Sequence, residues 1–282
     1  MLQFYDKVSF TSSMVSALAF AALSLPASAT VLDTGSAPCD LRNGYASSPA
    51  AFTGELEACM STLPDTAALA AEAQIAALSE RHRAQYDLEP LAARDSLNQA
   101  ARAHALDMAA RGYASHQSPE GLTHIDRLRR IDRQALFGTT GANIAVLERG
   151  ATPTDAFNAI ISDRVNAENL RRTHFSHSGV GVARTKDGAM IVVQLFAKVD
   201  GLLDAPLPHT VSARQSTAMQ FVDTDFRADD LKLVSLANGT PTPVARSIVP
   251  ERHRKGDMAL ELDANLGTAT FTLYGPVITI TD

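Results

Sequence analysis

Two apolar runs about two thirds of the way along the chain constrain it most. Gly179-Val-Gly-Val-Ala and Ala189-Met-Ile-Val-Val-Gln-Leu-Phe are joined through Lys186-Asp187-Gly188. An Asp-Gly pair between β-branched runs signals a tight antiparallel hairpin, because Gly supplies the positive φ that such a turn needs. The same Gly-Val-Gly-Val-Ala-Arg stretch lacks the third glycine and following helix of a dinucleotide loop. It reads as a strand.

Helices surround this hairpin on its N-terminal side. Asp65 or Thr66 can cap a helix running to about Tyr86, with Leu69, Ala73, Ala76, Ala77 and Glu80 at helical spacing. A second helix is predicted from about Arg94 to Arg111, with Leu97, Ala101, Ala105, Met108 and Ala109 on one face and Gly112 as its stop. His104 within it reads as a packing residue. The stretch IDRLRRI suggests a short basic amphipathic helix, and GTTGANIAVL a glycine-punctuated segment. Thr152, Pro153 and Asp155 mark another helix start. Beyond 201–208, which reads as a linker, the texture is strand-like to the end, and Asn238-Gly239 is a turn signal. A small antiparallel β domain, a sandwich or barrel fragment, is expected over 209–282.

At the N-terminus, Lys7 precedes an apolar run from Met14 to Leu25, then Pro26 and Ala27-Ser28-Ala29. This predicts a secretory signal over 1–29, because the run falls short of the ~20 residues needed to span a bilayer. The expected location is secreted or periplasmic, with no transmembrane segment after cleavage. Export favours a bridge between Cys39 and Cys59, the only two cysteines. Such a bridge, worth roughly 3 kcal/mol in the chain-entropy model, would staple a weakly packed segment over 30–63. A net charge of −6 without a basic run argues against nucleic acid as a partner.

Three separated words carry a resemblance. LNQAARAHALDMAARGYASHQSPEG, GANIA, and NAENLRRTHFSHSGVGVA followed by MIVVQLFA occur in the order found in the CAP superfamily, also called the SCP or cysteine-rich secretory protein family, in its short bacterial form. The likeness runs from about Asp65 to Val199, placing a CAP-like domain over 64–200. It implies an α+β fold, a three-layer α-β-α sandwich with an antiparallel sheet. It also implies a cleft lined by two histidines and one or two acids, able to hold a divalent metal such as zinc.

Carried over by position, the loop histidine is His116, the acid falls on Ala142 and the second histidine on Asn166. Ser115, His116, Ala142, Asn143 and Asn166 are therefore the candidate binding cleft. One retained histidine cannot make a zinc site, which takes about three nitrogen, sulfur or carboxylate ligands. His116 is expected instead to bond a backbone group or cross to Asn143 or Asn166, fixing its loop over the cleft wall. No catalytic residue is assigned: GxSxG and HExxH are both missing. The expected function is a non-catalytic binding or scaffold module for a lipid, cell-wall or protein ligand, without a cofactor. One alternative is a zinc hydrolase rebuilt on His116, His174 and His177, with Glu120 or Glu168 as base. The other is a structural protein whose β region docks a partner.

Overall fold

A computed structural model describes residues 41, 48–62, 66–212, 217–222, 227–244, 247–248, 255–266 and 269–282. The expected signal segment and Cys39 lie outside the described residues. Helices α1 (Pro49–Thr62), α2 (Thr66–Ala84), α3 (Asp95–Arg111), α4 (His124–Ile131), α5 (Pro153–Ser162) and α6 (Arg164–Arg171) pack on a sheet. Its strands are β1 (Ala92–Ala93), β2 (Ala135–Leu147), β3 (His177–Arg184), β4 (Met190–Leu203), β5 (Thr210–Ser212), β7 (Phe221–Val222), β8 (Arg227–Ser235), β9 (Pro241–Pro243), β11 (Gly256–Leu266) and β12 (Ala269–Thr281). Two further short strands, β6 (Thr217–Ala218) and β10 (Ser247–Ile248), pair with each other. No helix among the described residues is long and apolar enough to cross a membrane.

The predicted hairpin is the centre of the architecture. β3 and β4 pair antiparallel from His177↔Ala197 to Arg184↔Met190, and Gly188 takes φ 90° in the turn. Because side chains alternate along a strand, β4 serves two cores. Ile191, Val193, Leu195 and Ala197 pack with α1, α3 and α4. Met190, Val192 and Phe196 pack with α2, α5 and α6 on the other face. This is a three-layer α-β-α arrangement. Gly179 and Gly181 set the spacing on the α3 side: a Cβ there would lie 2.4 Å from the Leu97 carbonyl carbon and 2.1 Å from the Arg102 amide. Only a bare Cα lets strand and helix approach so closely.

Several local expectations hold for the physical reasons given. Gly112 ends α3 in the left-handed region at φ 68°, and the Thr152/Asp155 capping box opens α5 with Pro153 in its first turn. Others are corrected. The glycine-punctuated segment is β2, paired with β4 along its length. The core face of α2 is turned from the predicted one: Leu69 is half exposed, whereas Glu72, Ser79 and Arg83 are buried with Ala68, Ala71 and Ile75. Each of these polar residues is satisfied. Glu72 binds Arg102 and the Val182 amide, Ser79 accepts from Gln194, and Arg83 reaches the carbonyls of Glu89, Leu170 and Arg172. Nor is the 30–63 region weakly packed where it is described, since Phe52 and Leu56 of α1 are buried in the α3–α4 core beside Cys59.

The C-terminal region is all-β and continues the same sheet. The strand order is β1-β3-β4-β2-β12-β11-β8-β9, with Tyr274↔Phe137 the register pair between β12 and β2. Arginines of the short basic helix and its exit tie it down, rather than facing solvent. Arg129, 7% exposed, donates from Nε to the Gly275 carbonyl and from Nη2 to the Leu260 carbonyl, both at 2.8 Å. Its pairing with Glu261 and the Tyr274 ring completes the plug. Arg133 donates to the carbonyls of Leu207, Pro208 and Val277.

Candidate functional site

The loop of His116 leaves α3 at Gly112 and enters α4 at Thr123. Its shape comes from groups other than His116. Ser118 is buried, its hydroxyl accepting from the amides of Glu120 and Leu122. Tyr113 donates to Asp107 at 2.5 Å, and Arg111 clamps Asp107 on one side and Glu120 on the other. Fully buried Arg127 of α4 reaches the same Asp107 at 3.3 Å and the Leu122 carbonyl. Arg111 holds the Glu120 carboxyl down at about 2. A carboxylate so bound is a poor general base.

His104 is the loop's anchor from within α3. Fully buried, it meets the Ser115 carbonyl through Nε2 at 2.9 Å. A carbonyl can only accept, so Nε2 carries the proton and Nδ1 is a bare lone pair without a hydrogen-bond partner among the described residues. Burial, then the charge of Arg127, pulls its pKa down to about 2. The packing role is thus also a hydrogen-bonding one.

His116 itself is exposed, and burial on its inner side lowers its pKa. Facing it is a residue that sequence reasoning passed over, His124 at the first position of α4. Its Nε2 lies 2.9 Å from Thr140 Oγ1, joining the start of α4 to β2. Burial, then the nearby His116 and Arg127, lowers His124 to about 4. The signal was present in Thr-His-Ile-Asp: Thr123 and Asp126 form the capping box that fixes the helix start and so places His124. Ala142 follows Thr140 on the same face and is buried in the α3–α4 core. Two imidazoles, a threonine hydroxyl and a methyl group thus neighbour one another around the start of α4 and β2.

The remaining cleft candidates sit elsewhere. Asn143 points to the opposite face of β2, as strand alternation requires, and is fully buried. It donates to the Asn166 carbonyl and to Gln194, and accepts from Asn169 at 2.9 Å. The Asn166 amide donates to the Ile144 carbonyl at 3.4 Å. The expected bond from His116 to either asparagine is replaced by these. Ser115 contributes its carbonyl to His104, while its hydroxyl accepts from Gln117.

The zinc alternative does not assemble. His177 opens β3, bonded to Ser176 and within electrostatic reach of Arg94 and Asp132, and His174 packs its ring on Phe175 at 4.6 Å. His116 instead neighbours His104 and His124. Among the described residues no group of three or more His, Cys, Asp or Glu is arranged to hold a metal. Glu168, the other candidate base, pairs with Arg164 on the surface of α6. With alanine and an amide in place of the acid and second histidine, the residues present do not fit the metal that the resemblance implies.

The model of the cysteine-rich secretory protein family, CAP, matches residues 78–196. The uncharacterized protein YkwD of Bacillus subtilis (strain 168) is 28% identical over 127 residues, 45% of this chain and 47% of that protein. The chain thus spans about half the length of this curated relative. Among solved structures, an outer surface protein from Borrelia burgdorferi is similar at 23% identity and a TM-score of 0.40, covering 44% of this chain and 90% of that one. An extracellular protein containing an SCP domain from Bacillus anthracis str. Ames is 27% identical with a TM-score of 0.40, covering 46% and 40%.

Proposed function

Residues 78–196 belong to the cysteine-rich secretory protein family, CAP, and from that premise we propose that the chain is an exported, non-catalytic binding or scaffold module with a lipid, cell-wall or protein ligand. The observation that carries this reading is the pair of replacements at the cleft. Ala142 offers a buried methyl where an acid would ligate or take a proton, and the Asn166 amide is engaged with the Ile144 carbonyl. What remains, His116 and His124 beside Thr140, suits hydrogen bonding to a ligand. Freed from holding its own loop, the exposed His116 is the contact group. Export rests on the N-terminal charge, apolar run and Ala-Ser-Ala site, and a Cys39–Cys59 bridge is part of the same proposal.

Calorimetric titration of the metal-stripped chain, Thr30 to Asp282, with zinc tests the central point. No heat of binding is expected. Micromolar or tighter binding, near −8 kcal/mol, that His116→Ala abolishes would overturn the non-metal reading.

A further inference from the structure

A second cleft, of about 520 Å³, opens away from His116, where the start of α3, the end of α4 and the segment after β4 meet. It is a broad depression open to solvent, lined mainly by polar and charged side chains. We propose that this cleft binds a glycan, one or two sugar rings of a polyhydroxylated chain.

The floor is pre-ordered. Asp132, 4% exposed, accepts from Arg94 Nε at 2.6 Å and Nη2 at 3.1 Å, and from the Ser96 hydroxyl at 2.5 Å. The amides of Gln134 and Ala135 add two more bonds, at 2.9 and 2.7 Å. A carboxylate so fully bonded holds Arg94 and Ser96 rigid, which reduces the ordering cost of binding. Groups with spare capacity stand around it. Arg94 Nη1 has no hydrogen-bond partner among the described residues, and the Ser96 hydroxyl retains its lone pairs. Gln99 is half-buried on one wall, and Gln134 spends its Nε2 on the Leu203 carbonyl while keeping Oε1.

Ligand class follows from charge and shape. Two arginines, Arg94 and Arg133, are balanced by two aspartates, Asp95 and Asp132. A formally neutral lining selects neither a phosphate nor a free cation. Lipid tails would need an apolar wall, yet only Ala93, Ile131 and Pro206 supply one. A sugar ring matches both features: its C–H face lies on a small apolar patch, and its rim hydroxyls each donate and accept. Arg94 and the two glutamines offer that mixture of donors and acceptors.

The proposal does not depend on the His116 cleft, and one experiment separates them. The intact chain without residues 1–29, and its Gln99→Ala, Gln134→Ala and His116→Ala variants, are applied to a printed array of oligosaccharides, each variant's fold checked by its melting curve. Expected is binding to at least one glycan class, weakened about tenfold by each glutamine variant, the effect of one good hydrogen bond, and unchanged in His116→Ala. No bound glycan overturns the proposal. Loss only in His116→Ala also overturns it, and would locate the glycan in the cleft of the proposed function.

Discussion

At the residue scale, the buried imidazoles make stability depend on acid. His104 titrates at about 2 in the fold because burial, then Arg127, disfavours its charged form. In the unfolded chain it titrates near 6.5. The unfolded state therefore binds the proton first. The stabilising contribution is complete above pH 6.5 and is lost as pH falls below it, at up to about 1.4 kcal/mol per pH unit. His124, lowered to about 4, acts in the same sense over the narrower window between pH 6.5 and 4. Urea unfolding at pH 7 and pH 5 should show a midpoint falling with acid, and His104→Gln should flatten that dependence while lowering stability at pH 7. Equal midpoints for the parent chain at the two pH values would mean that His104 is not held neutral.

At the scale of elements, the approach of β3 to α3 is the tightest constraint. A methyl at Gly181 would sit 2.1 Å from the Arg102 amide nitrogen and 2.2 Å from the Ala101 carbonyl carbon, both backbone and unable to swing aside. The layer must open to admit it. Gly181→Ala is expected to cost about 1–3 kcal/mol, the usual range for overpacking a core, and to lower the melting temperature by several degrees. Gly54→Ala is the control, since a Cβ there meets nothing within 4 Å. Calorimetric scans of the two variants should separate clearly. The same layer explains why the periodicity of α2 misleads: its interior face carries Glu72, Ser79 and Arg83, whose partners on β3, β4, α3 and the α6 region lie far off in sequence.

For the whole molecule, Arg129 is one of the ties between the C-terminal strands and the family domain. Its guanidinium satisfies the Gly275 and Leu260 carbonyls where the β11–β12 pairing shifts register. Truncation removes charge-assisted bonds worth about 1.5–3 kcal/mol each and leaves buried acceptors behind. Arg129→Ala is expected to accelerate hydrogen exchange over 256–281 while leaving the central hairpin at 177–197 protected. Uniform acceleration of both regions would show instead that the sheet opens as one unit. Leu136 and Leu203, at the ends of two family-domain strands, are buried in the C-terminal core. That continuity is packing, not only strand pairing.

By itself the sequence determined what is local. The Asp-Gly hairpin, the Gly112 stop, the Thr152 capping box and the ordered family words all act within a few residues, and each fixes its element whatever the surroundings. The retained His116 and the replacements at Ala142 and Asn166 could be read the same way. Tertiary structure alone decided which faces and charges meet. Strand alternation sends Asn143 away from Ala142, and the α4 capping box brings His124 to Thr140 beside His116. Arg129, on a helix that reads as basic and amphipathic, becomes a buried plug because the carbonyls of Leu260 and Gly275, well over a hundred residues away, need donors. Burial cost and hydrogen-bond satisfaction belong to the assembled chain, and no local pattern encodes them.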